Sequence, residues 1–352
     1  MKLWEKNIRK IDPYVPGEQP DLPDMIKLNT NENPYPPSHM VQKALESPET
    51  EKLRLYPDPD STLLTKCLAE YYQLSPDQVF VGVGSDDVLA IAFMTFFNSG
   101  KPILFPDVTY SFYDVWARLF KIPYERPMLN QEYHIRKEDY YKENGGIVIA
   151  NPNAPTGVYE DLEFIRDIVE HNKDVIVIVD EAYIDFGGVS ALELTEEYDN
   201  LLIVQTFSKA RSMAGMRIGY AMGNPELIRA MKDVRYSYNS YPMTRLSVKV
   251  GVEAVVDVDY FRKTIDTIIE VREKTKKRLH ELGFSFPDSM TNFVLIEHES
   301  VPAITISQKL REKSIFVRHF NHDRIKNALR VTIGTEEEME IFLKEVETIV
   351  AK

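Results

Sequence analysis

Lys209 stands between two apolar segments of the chain, among small and polar residues. Residues 201–204 form the first apolar run and residues 218–222 the second. A lysine held in a partly desolvated turn gives up its proton more readily than one on a solvated surface, and it then becomes an amine nucleophile. The characteristic reaction of such an amine is formation of a Schiff base with a carbonyl compound.

Three neighbours of Lys209 are suited to binding phosphate. Arg217 lies at the start of the second apolar run, and Thr206 and Ser208 offer hydroxyls. An amine nucleophile beside phosphate-binding groups is typical of a pyridoxal phosphate (PLP) site. Because lysine follows serine in many sequences, an ordinary surface turn is the alternative for this segment taken alone.

The chain around this segment reads as alternating strands and helices. We predict strands at 79–83, 102–105, 123–126, 147–150, 175–179, 201–206 and 217–222, with helices at 86–98, 109–120 and 160–171 among them. Residues 175–179 are apolar at every position, which is typical of a strand covered on both faces. The pattern predicts an α/β fold in which helices cover both faces of a mostly parallel sheet.

The two ends of the chain differ from this middle part. Residues 12–37 contain seven of the 21 prolines, which predicts an extended arm rather than a helix. After a long helix at 259–282, the remainder reads strand–helix–strand–strand–helix, which predicts a small α+β unit. We therefore expect an N-terminal segment and arm at 1–37, a large domain at 38–258 and a small domain at 259–352.

Composition narrows the possible partners. The chain has 352 residues and a formal net charge of -13, which argues against nucleic acid as a partner. No apolar run has transmembrane length and no signal peptide is visible, so no membrane partner is expected. The single cysteine, Cys67, excludes an internal disulfide and a cysteine-based metal site, and it suits a reducing cytoplasm.

Further candidate residues follow the predicted strands, where open parallel sheets bind their ligands. Residues 82–87 (Gly-Val-Gly-Ser-Asp-Asp) join a strand to a helix and favour phosphate binding, with a plain strand–helix turn as the alternative. Asp180 ends another strand and is suited to pairing with a protonated ring nitrogen, although a helix-capping role is the alternative. Residues 151–157 form a turn-rich loop, and Tyr110 offers an aromatic face.

Together these segments resemble the fold-type I PLP-dependent enzymes, specifically the class I/II aminotransferases and most closely their histidinol-phosphate branch. The resemblance extends over nearly the whole chain, and its motifs are residues 28–34, 56–58, 82–87, 151–157, 180–183, 206–219 and 329–335. It implies a large domain with a seven-stranded sheet and a small domain that includes part of the N-terminus. It also implies a homodimer with active sites at the subunit interface.

The resemblance assigns roles to individual residues. Lys209 is implied to carry PLP and move the proton, Asp180 to keep the pyridine nitrogen protonated, and Tyr183 to bond the ring oxygen O3′. Tyr110 is implied to stack on the ring. The implied phosphate ligands are Ser85, Asp86, Thr206, Ser208 and Arg217, with Tyr56 of the partner subunit. The implied substrate-binding residues are Arg330, which holds a carboxylate, and Tyr14, Asn31 and Arg318.

The activity implied is a ping-pong transamination between L-glutamate/2-oxoglutarate and imidazole acetol phosphate/L-histidinol phosphate in histidine biosynthesis. The alternatives on the same scaffold are an aromatic amino-acid aminotransferase and a decarboxylase of a phosphorylated amino acid. An alternative of another class is a non-catalytic PLP-binding regulatory domain.

Two positions depart from the family pattern. The family usually has asparagine before Pro-Thr-Gly, where it bonds O3′, and this chain has Ala154. Either Asn153 replaces that residue through a shifted turn, or Tyr183 acts alone. Asp87 stands where glutamate is more frequent, and we expect little consequence.

Overall fold

A computed structural model of the chain describes residues 2–46 and 50–351. Its α-helices are α1 His39–Glu46, α2 Thr62–Tyr72, α3 Ser85–Phe96, α4 Phe112–Phe120, α5 Leu162–Glu170, α6 Pro225–Tyr238, α7 Arg245–Val256, α8 Val258–Glu281, α9 Ala303–Glu312 and α10 Glu336–Val350. Its strands are β1 Ile26–Leu28, β2 Val79–Gly82, β3 Ile103–Leu104, β4 Tyr124–Glu125, β5 Ile147–Ala150, β6 Val177–Asp180, β7 Leu201–Thr206, β8 Gly219–Gly223, β9 Phe284–Ser285, β10 Phe293–His298, β11 Ile315–His319 and β12 Ala328–Thr332.

The large sheet has seven strands in the order β2-β8-β7-β6-β5-β3-β4. Strands β3 to β7 run parallel to one another, and β8 runs antiparallel between β2 and β7. This confirms the predicted α/β fold with a mostly parallel seven-stranded sheet. Because parallel strands end at the same edge, β6 and β7 bring Asp180 and the start of the Lys209 turn close together.

Both faces of this sheet are covered by helices. Ile147 and Ile149 of β5 pack into one apolar layer with α2, α5 and α7, whereas Val148 packs into the opposite layer with α3, α4 and α6. Burial on both faces explains why these strands are apolar at consecutive positions. The sheet is thus a rigid base on which loops at the strand ends can be held in place.

A second, five-stranded sheet has the order β1-β11-β12-β10-β9. Strand β1 comes from the N-terminal part of the chain and pairs in parallel with β11. Helices α8, α9 and α10 pack on this sheet around buried residues such as Ile268, Leu310 and Phe342. The small α+β unit expected from the sequence is therefore present, and it includes an N-terminal strand.

Some elements differ from the sequence predictions. Helix α7 was not predicted, because its valines are typical of a strand, but it packs against α1 and α2 and ends just before α8. The short strands β1 and β9 were also missed. Within residues 2–46 and 50–351, none of the helices is long and apolar enough to cross a membrane.

Candidate active site

Lys209 lies in the turn after β7 and is partly buried. Its Nζ donates a hydrogen bond to the backbone oxygen of Thr30 at 3.1 Å and lies 5.8 Å from the ring centre of Tyr183. These residues line a cleft of about 460 Å³ whose walls come from both sheets. The amine therefore points into an open space between the two units.

Asp180, the last residue of β6, is the buried acid of this cleft. It is 5% exposed, and burial raises its pKa to about 6, with the hydrogen bonds it accepts acting in the opposite direction. Tyr113 donates to its Oδ2 at 2.7 Å, and the backbone N–H of Ala182 donates to its Oδ1 at 3.2 Å. A buried carboxylate held in this way favours a cationic partner, such as a protonated ring nitrogen.

An anion-binding corner lies at the N-terminus of α3. The first amides of a helix have no acceptor within the helix, so they are available to an anion there. Arg217 reaches this corner and donates to Ser208 Oγ at 3.4 Å, while Thr206 Oγ1 donates to the same oxygen at 3.0 Å. Together the guanidinium, two hydroxyls and the helix N-terminus suit a phosphate group.

Gly84 allows the close approach that this corner requires. Its φ is +86°, and a Cβ at this position would overlap the guanidinium of Arg217. Gly219 similarly lies against the backbone of Gly84 and Ser85, where a side chain would collide with the start of α3. The glycines at 84 and 219 therefore set the spacing between α3 and Arg217.

Asp86 connects the anion-binding corner to the aromatic wall of the cleft. Its Oδ1 accepts from the Tyr110 hydroxyl at 2.8 Å, and its Oδ2 accepts from Arg217 Nη2 at 3.4 Å. Because a carboxylate repels phosphate, the side chain of Asp86 orients these two neighbours, and only its backbone amide is suited to an anion. Tyr110 and Phe112 flank Tyr14, whose ring centre lies 4.0 Å from that of Phe112.

Two arginines reach the cleft from the small sheet. Arg318 of β11 stands opposite Arg330 of β12 in an antiparallel pair, so both side chains lie on the same face. Arg330 Nη2 donates to the Asn29 backbone oxygen at 3.0 Å, while its Nε is buried without a partner. Burial lowers the pKa of Arg330. An unpaired, desolvated guanidinium nitrogen beside the cleft fits a carboxylate or phosphate ligand.

Tyr183 contributes a hydroxyl to the cleft wall from the turn after β6. Asn31 Nδ2 donates to this hydroxyl at 2.8 Å, and Asn31 itself is 1% exposed. Asn31, expected from the resemblance to bind substrate, thus contacts Tyr183 directly.

The structure brings most of the predicted site residues to this one cleft. Its lining includes Tyr14, Asn31, Ser85, Asp86, Tyr110, Asp180, Tyr183, Thr206, Ser208, Lys209, Arg217, Arg318 and Arg330. Ala154 also lines it, but Asn153 does not. The amide of Asn153 is buried and donates to the Val108 oxygen at 2.9 Å and to Thr156 Oγ1 at 2.9 Å. Its Oδ1 accepts from the Thr109 hydroxyl at 2.7 Å.

The polar side-chain atoms of Asn153 thus bond Val108, Thr109 and Thr156 rather than facing the cleft, and the expectation that Asn153 reaches the cofactor stays a prediction. Two alternatives follow from the presence of Ala154: either Asn153 replaces the usual asparagine, or Tyr183 acts alone. The arrangement of this loop favours the second. Tyr56 also lies away from the cleft of its own chain. It is 78% exposed and stacks on Tyr241 with ring centres 4.7 Å apart.

Sequence reasoning missed three contributors. Thr30 receives the Lys209 amine through its backbone, which no side-chain pattern could indicate. Tyr113 is the partner of Asp180, and its position three residues after Tyr110 at the start of α4 was the available signal. Phe112 completes the aromatic wall.

The residues present fit PLP on several counts. Lys209 supplies the amine, Asp180 the buried acid, Tyr110 a ring face, and the corner around Ser208 and Arg217 the phosphate ligands. The unpaired Arg330 Nε is an orphaned polar atom of the kind that an anionic ligand would satisfy. Such a site, at the carboxyl ends of parallel strands in a seven-stranded sheet, defines a fold-type I PLP-dependent enzyme.

Comparison with known proteins narrows the class. The family "Aminotransferase class I and II" matches residues 23–346. The chain belongs to this family.

Its relatives are similar over nearly their entire length. The chain is 52% identical over 345 residues to the histidinol-phosphate aminotransferase of Lactococcus lactis subsp. cremoris (strain MG1363), covering 97% of each chain. It is 50% identical over 343 residues to the histidinol-phosphate aminotransferase of Brachyspira hyodysenteriae, again covering 97% of each.

Solved structures share the fold. The histidinol-phosphate aminotransferase of Sinorhizobium meliloti, solved in complex with pyridoxal-5'-phosphate, superposes with a TM-score of 0.85 at 21% identity, covering 93% of this chain and 91% of that one. The enzyme of the same name from Clostridium acetobutylicum also gives 0.85 at 21% identity, covering 93% and 99%. At this identity, the likeness supports the fold.

Proposed function

We propose that this protein is a histidinol-phosphate aminotransferase that exchanges an amino group between L-glutamate/2-oxoglutarate and imidazole acetol phosphate/L-histidinol phosphate in histidine biosynthesis. The observation that carries the proposal is the position of Arg318 and Arg330 in the same cleft as Lys209. A lysine nucleophile facing paired arginines suits an amino-group transfer to and from an anionic substrate. The identity to relatives of this name, about half of all residues over full length, supports the specific reaction.

The cofactor we propose is PLP, attached covalently through Lys209. When bound, its protonated ring accepts the electron pair left when the substrate α-carbon loses a proton. We propose that Asp180 holds the proton of the ring nitrogen and that Tyr110 presents a flat face to the ring. Lys209 would hold the cofactor through its amine, and as a free amine it would move the proton of the substrate α-carbon as general base and acid.

The rest of the cleft binds and orients. Ser208, Thr206, Arg217 and the N-terminus of α3 hold the cofactor phosphate. Arg330 binds the glutamate carboxylate through its planar fork, and the same fork accepts the phosphate of histidinol phosphate, which has no α-carboxylate. The aromatic wall of Tyr14 and Phe112 suits a flat imidazole ring.

That aromatic wall also favours a second candidate, an aromatic amino-acid aminotransferase on the same scaffold. The two candidate functions differ in what they require of Arg318. An aromatic amino acid carries no phosphate, so it would not need this arginine as a phosphate ligand. Arg318→Ala should raise the KM for histidinol phosphate about tenfold or more, the effect of losing one charge-assisted bond, and leave the KM for phenylalanine nearly unchanged. Equal losses for both substrates would favour the aromatic candidate.

Arg330→Lys serves as the matched variant, because it keeps the charge and removes the bidentate fork. It should impair the reactions with glutamate and with histidinol phosphate alike.

We further propose a homodimer in a cytoplasmic location, with a large domain at 38–258 and a small domain at 259–352 that includes part of the N-terminus. Large apolar side chains are exposed in the chain segments that hold Tyr56 and its stacking partner Tyr241, among them Leu53 at 75%, Leu63 at 60% and Tyr238 at 69%. Such a surface suits burial against a second copy. The single cysteine suits a reducing compartment.

The test of the proposed function has two stages. Borohydride reduction of the PLP-loaded protein, followed by peptide mapping, should place the label on Lys209. Mixing the loaded protein with histidinol phosphate should then convert the cofactor absorbance to that of its amino form, and 2-oxoglutarate should restore it. A label on another lysine, or no spectral change with histidinol phosphate, would refute the assignment.

A further inference from the structure

The hydroxyl of Tyr183 accepts a hydrogen bond from a buried residue of the cleft wall. The donor is the amide nitrogen of Asn31, 2.8 Å away, and an amide NH2 group can only donate. The oxygen of Tyr183 is therefore the acceptor, and its single proton must point elsewhere. Among the described residues no group accepts that proton, whereas Tyr183 lines the cleft.

Thr332 in β12 fixes which end of the Asn31 amide faces Tyr183. The backbone N–H of Asn31 donates to Thr332 Oγ1 at 3.0 Å, so the proton of that hydroxyl remains to be donated. It goes to Asn31 Oδ1 at 3.1 Å. Rotating the amide by half a turn would leave the Thr332 proton without its acceptor and would turn the amide oxygen toward Tyr183, where it would take the tyrosine proton.

The backbone of Asn31 is also held in place. Its φ is +58°, a left-handed conformation that asparagine tolerates better than most residues. Asn292 Nδ2 donates to its carbonyl oxygen at 3.0 Å, and both residues are buried. Asn31 is thus bound through its N–H, its C=O and its side-chain oxygen, which leaves the amide nitrogen directed at Tyr183.

We infer that Asn31 and Thr332 are positioning residues that direct the only proton of Tyr183 into the cleft, toward the ring oxygen of PLP. The inference rests on the proposed function, because it assumes that PLP occupies the cleft. The wall beside Tyr183 includes Ala154, which has no polar side-chain atom, so a directed tyrosine proton matters more here. A hydrogen bond donated to the ring oxygen stabilises the deprotonated form of the bound cofactor.

The test is the pH midpoint of the visible absorbance change of the PLP-loaded protein. Tyr183→Phe removes the donated proton and should raise the midpoint by about one pH unit, a tenfold change in the ionisation constant. Asn31→Ala and Thr332→Val should each raise it by about half a unit, because Tyr183 then no longer has a single preferred direction. In the Tyr183→Phe background, Asn31→Ala should add nothing, since its effect passes through the missing hydroxyl.

Asn33→Ala is the matched control. Asn33 lies in the same segment and donates to the Ala210 oxygen at 3.2 Å, but it does not bond Tyr183. Its midpoint should equal that of the wild type, which would separate proton direction from general loosening of the segment.

Several results would overturn the inference. These are an unmoved midpoint in Asn31→Ala and Thr332→Val, or an equal shift from Asn31→Ala with and without the Tyr183 hydroxyl. Should Asn31→Ala fail to fold, Thr332→Val decides alone, because valine keeps the shape and removes only the hydroxyl. A wild-type protein that forms no PLP adduct would refute the proposed function as well, whereas a normal adduct with an unmoved midpoint refutes only the inference.

Discussion

At the scale of single residues, burial is the main electrostatic influence on the cleft. Asp180 ends β6 deep in the sheet, and its pKa is raised because burial disfavours its charged form. Its neighbour Glu181 is 1% exposed and receives hydrogen bonds from Ser190, the Ala191 amide and Gln205. The two adjacent carboxyls thus have different partners, one facing the cleft and one facing the core.

Asp180 should act through its charge rather than its size. In Asp180→Asn the shape remains, but the amide no longer favours a protonated ring nitrogen. We expect PLP to bind while the conversion of the loaded protein by glutamate slows by about two orders of magnitude or more, since an unprotonated ring is a poor electron acceptor. Stopped-flow absorbance measures this rate, and a near wild-type rate would contradict the role proposed for Asp180.

Glu181 should affect stability in a defined pH range. Its pKa is raised by burial from 4.5 to about 7. Below pH 4.5 the Glu181 carboxyl is protonated in both the folded and the unfolded chain, so its contribution to the free energy of unfolding is fully present. As pH rises to 7 the unfolded chain loses its proton while the folded chain keeps it, and stability falls by about 3 kcal/mol.

Glu181→Gln removes this titration. The free energy of unfolding of the variant relative to wild type should therefore increase by about 3 kcal/mol between pH 4.5 and 7.5, as measured by urea unfolding of the PLP-loaded protein. A pH-independent difference would show that Glu181 has the same pKa in both states.

At the scale of elements, the site depends on where α3 begins. Gly84 immediately precedes this helix and has a positive φ. The guanidinium of Arg217 occupies the space that a Cβ at position 84 would need. Asp87 accepts a hydrogen bond from the Val83 amide at 2.9 Å, which closes the turn before the helix. The anion-binding corner is therefore formed by the turn and by the strand β8 that carries Gly219, rather than by any single side chain.

Gly84→Ala should weaken PLP binding about tenfold or more, because the added methyl group displaces the Arg217 guanidinium. Gly100→Ala is a suitable control. Gly100 also has a positive φ, +76°, but a Cβ there meets nothing within 4 Å. It should lose stability from backbone strain and keep its PLP affinity, as measured by absorbance titration. If both variants lost the same PLP affinity, the effect of Gly84→Ala would be due to backbone strain and not to displacement of Arg217.

The sequence predicted elements well where burial on both faces made strands continuously apolar, as at 147–150 and 201–206, whose bounds match β5 and β7. It failed where tertiary packing overrode local propensity, as in the valine-rich helix α7. The residue types of the cleft were predictable from motifs. The turning of Asn153 away from the cleft was not, because it depends on hydrogen bonds to Thr109 and Val108 that are distant in sequence.

At the scale of the whole molecule, the cleft draws on parts of the chain far apart in sequence. Backbone oxygens of consecutive residues after β1 accept from Arg330 and Lys209, at Asn29 and Thr30 respectively. The N-terminal segment therefore connects the small sheet to the turn after β7. The exposed Tyr56 is the exception, since the structure keeps it out of the cleft of its own chain.

The exposed side chain of Tyr56 provides a test of the proposed dimer. Its backbone oxygen accepts from Arg245 at 2.7 Å and its ring stacks on Tyr241, so the segment is held with the hydroxyl exposed. If this hydroxyl binds the cofactor phosphate of the partner subunit, sedimentation should show a dimer at working concentration, and Tyr56→Phe should weaken PLP retention more than turnover at saturating PLP.

Mixing variants tests the exchange between subunits directly. A dimer of one Lys209→Ala subunit and one Tyr56→Phe subunit contains one site with Lys209 intact and Tyr56 supplied by the other chain. With random mixing, about half of the dimers are of this kind, so high-affinity PLP sites should return to about a quarter of the wild-type number. If Tyr56 acted within its own chain, the only sites with Lys209 would also lack the hydroxyl, and mixing would restore none. Retained PLP counted after gel filtration distinguishes these outcomes, and an active monomer would contradict the dimer itself.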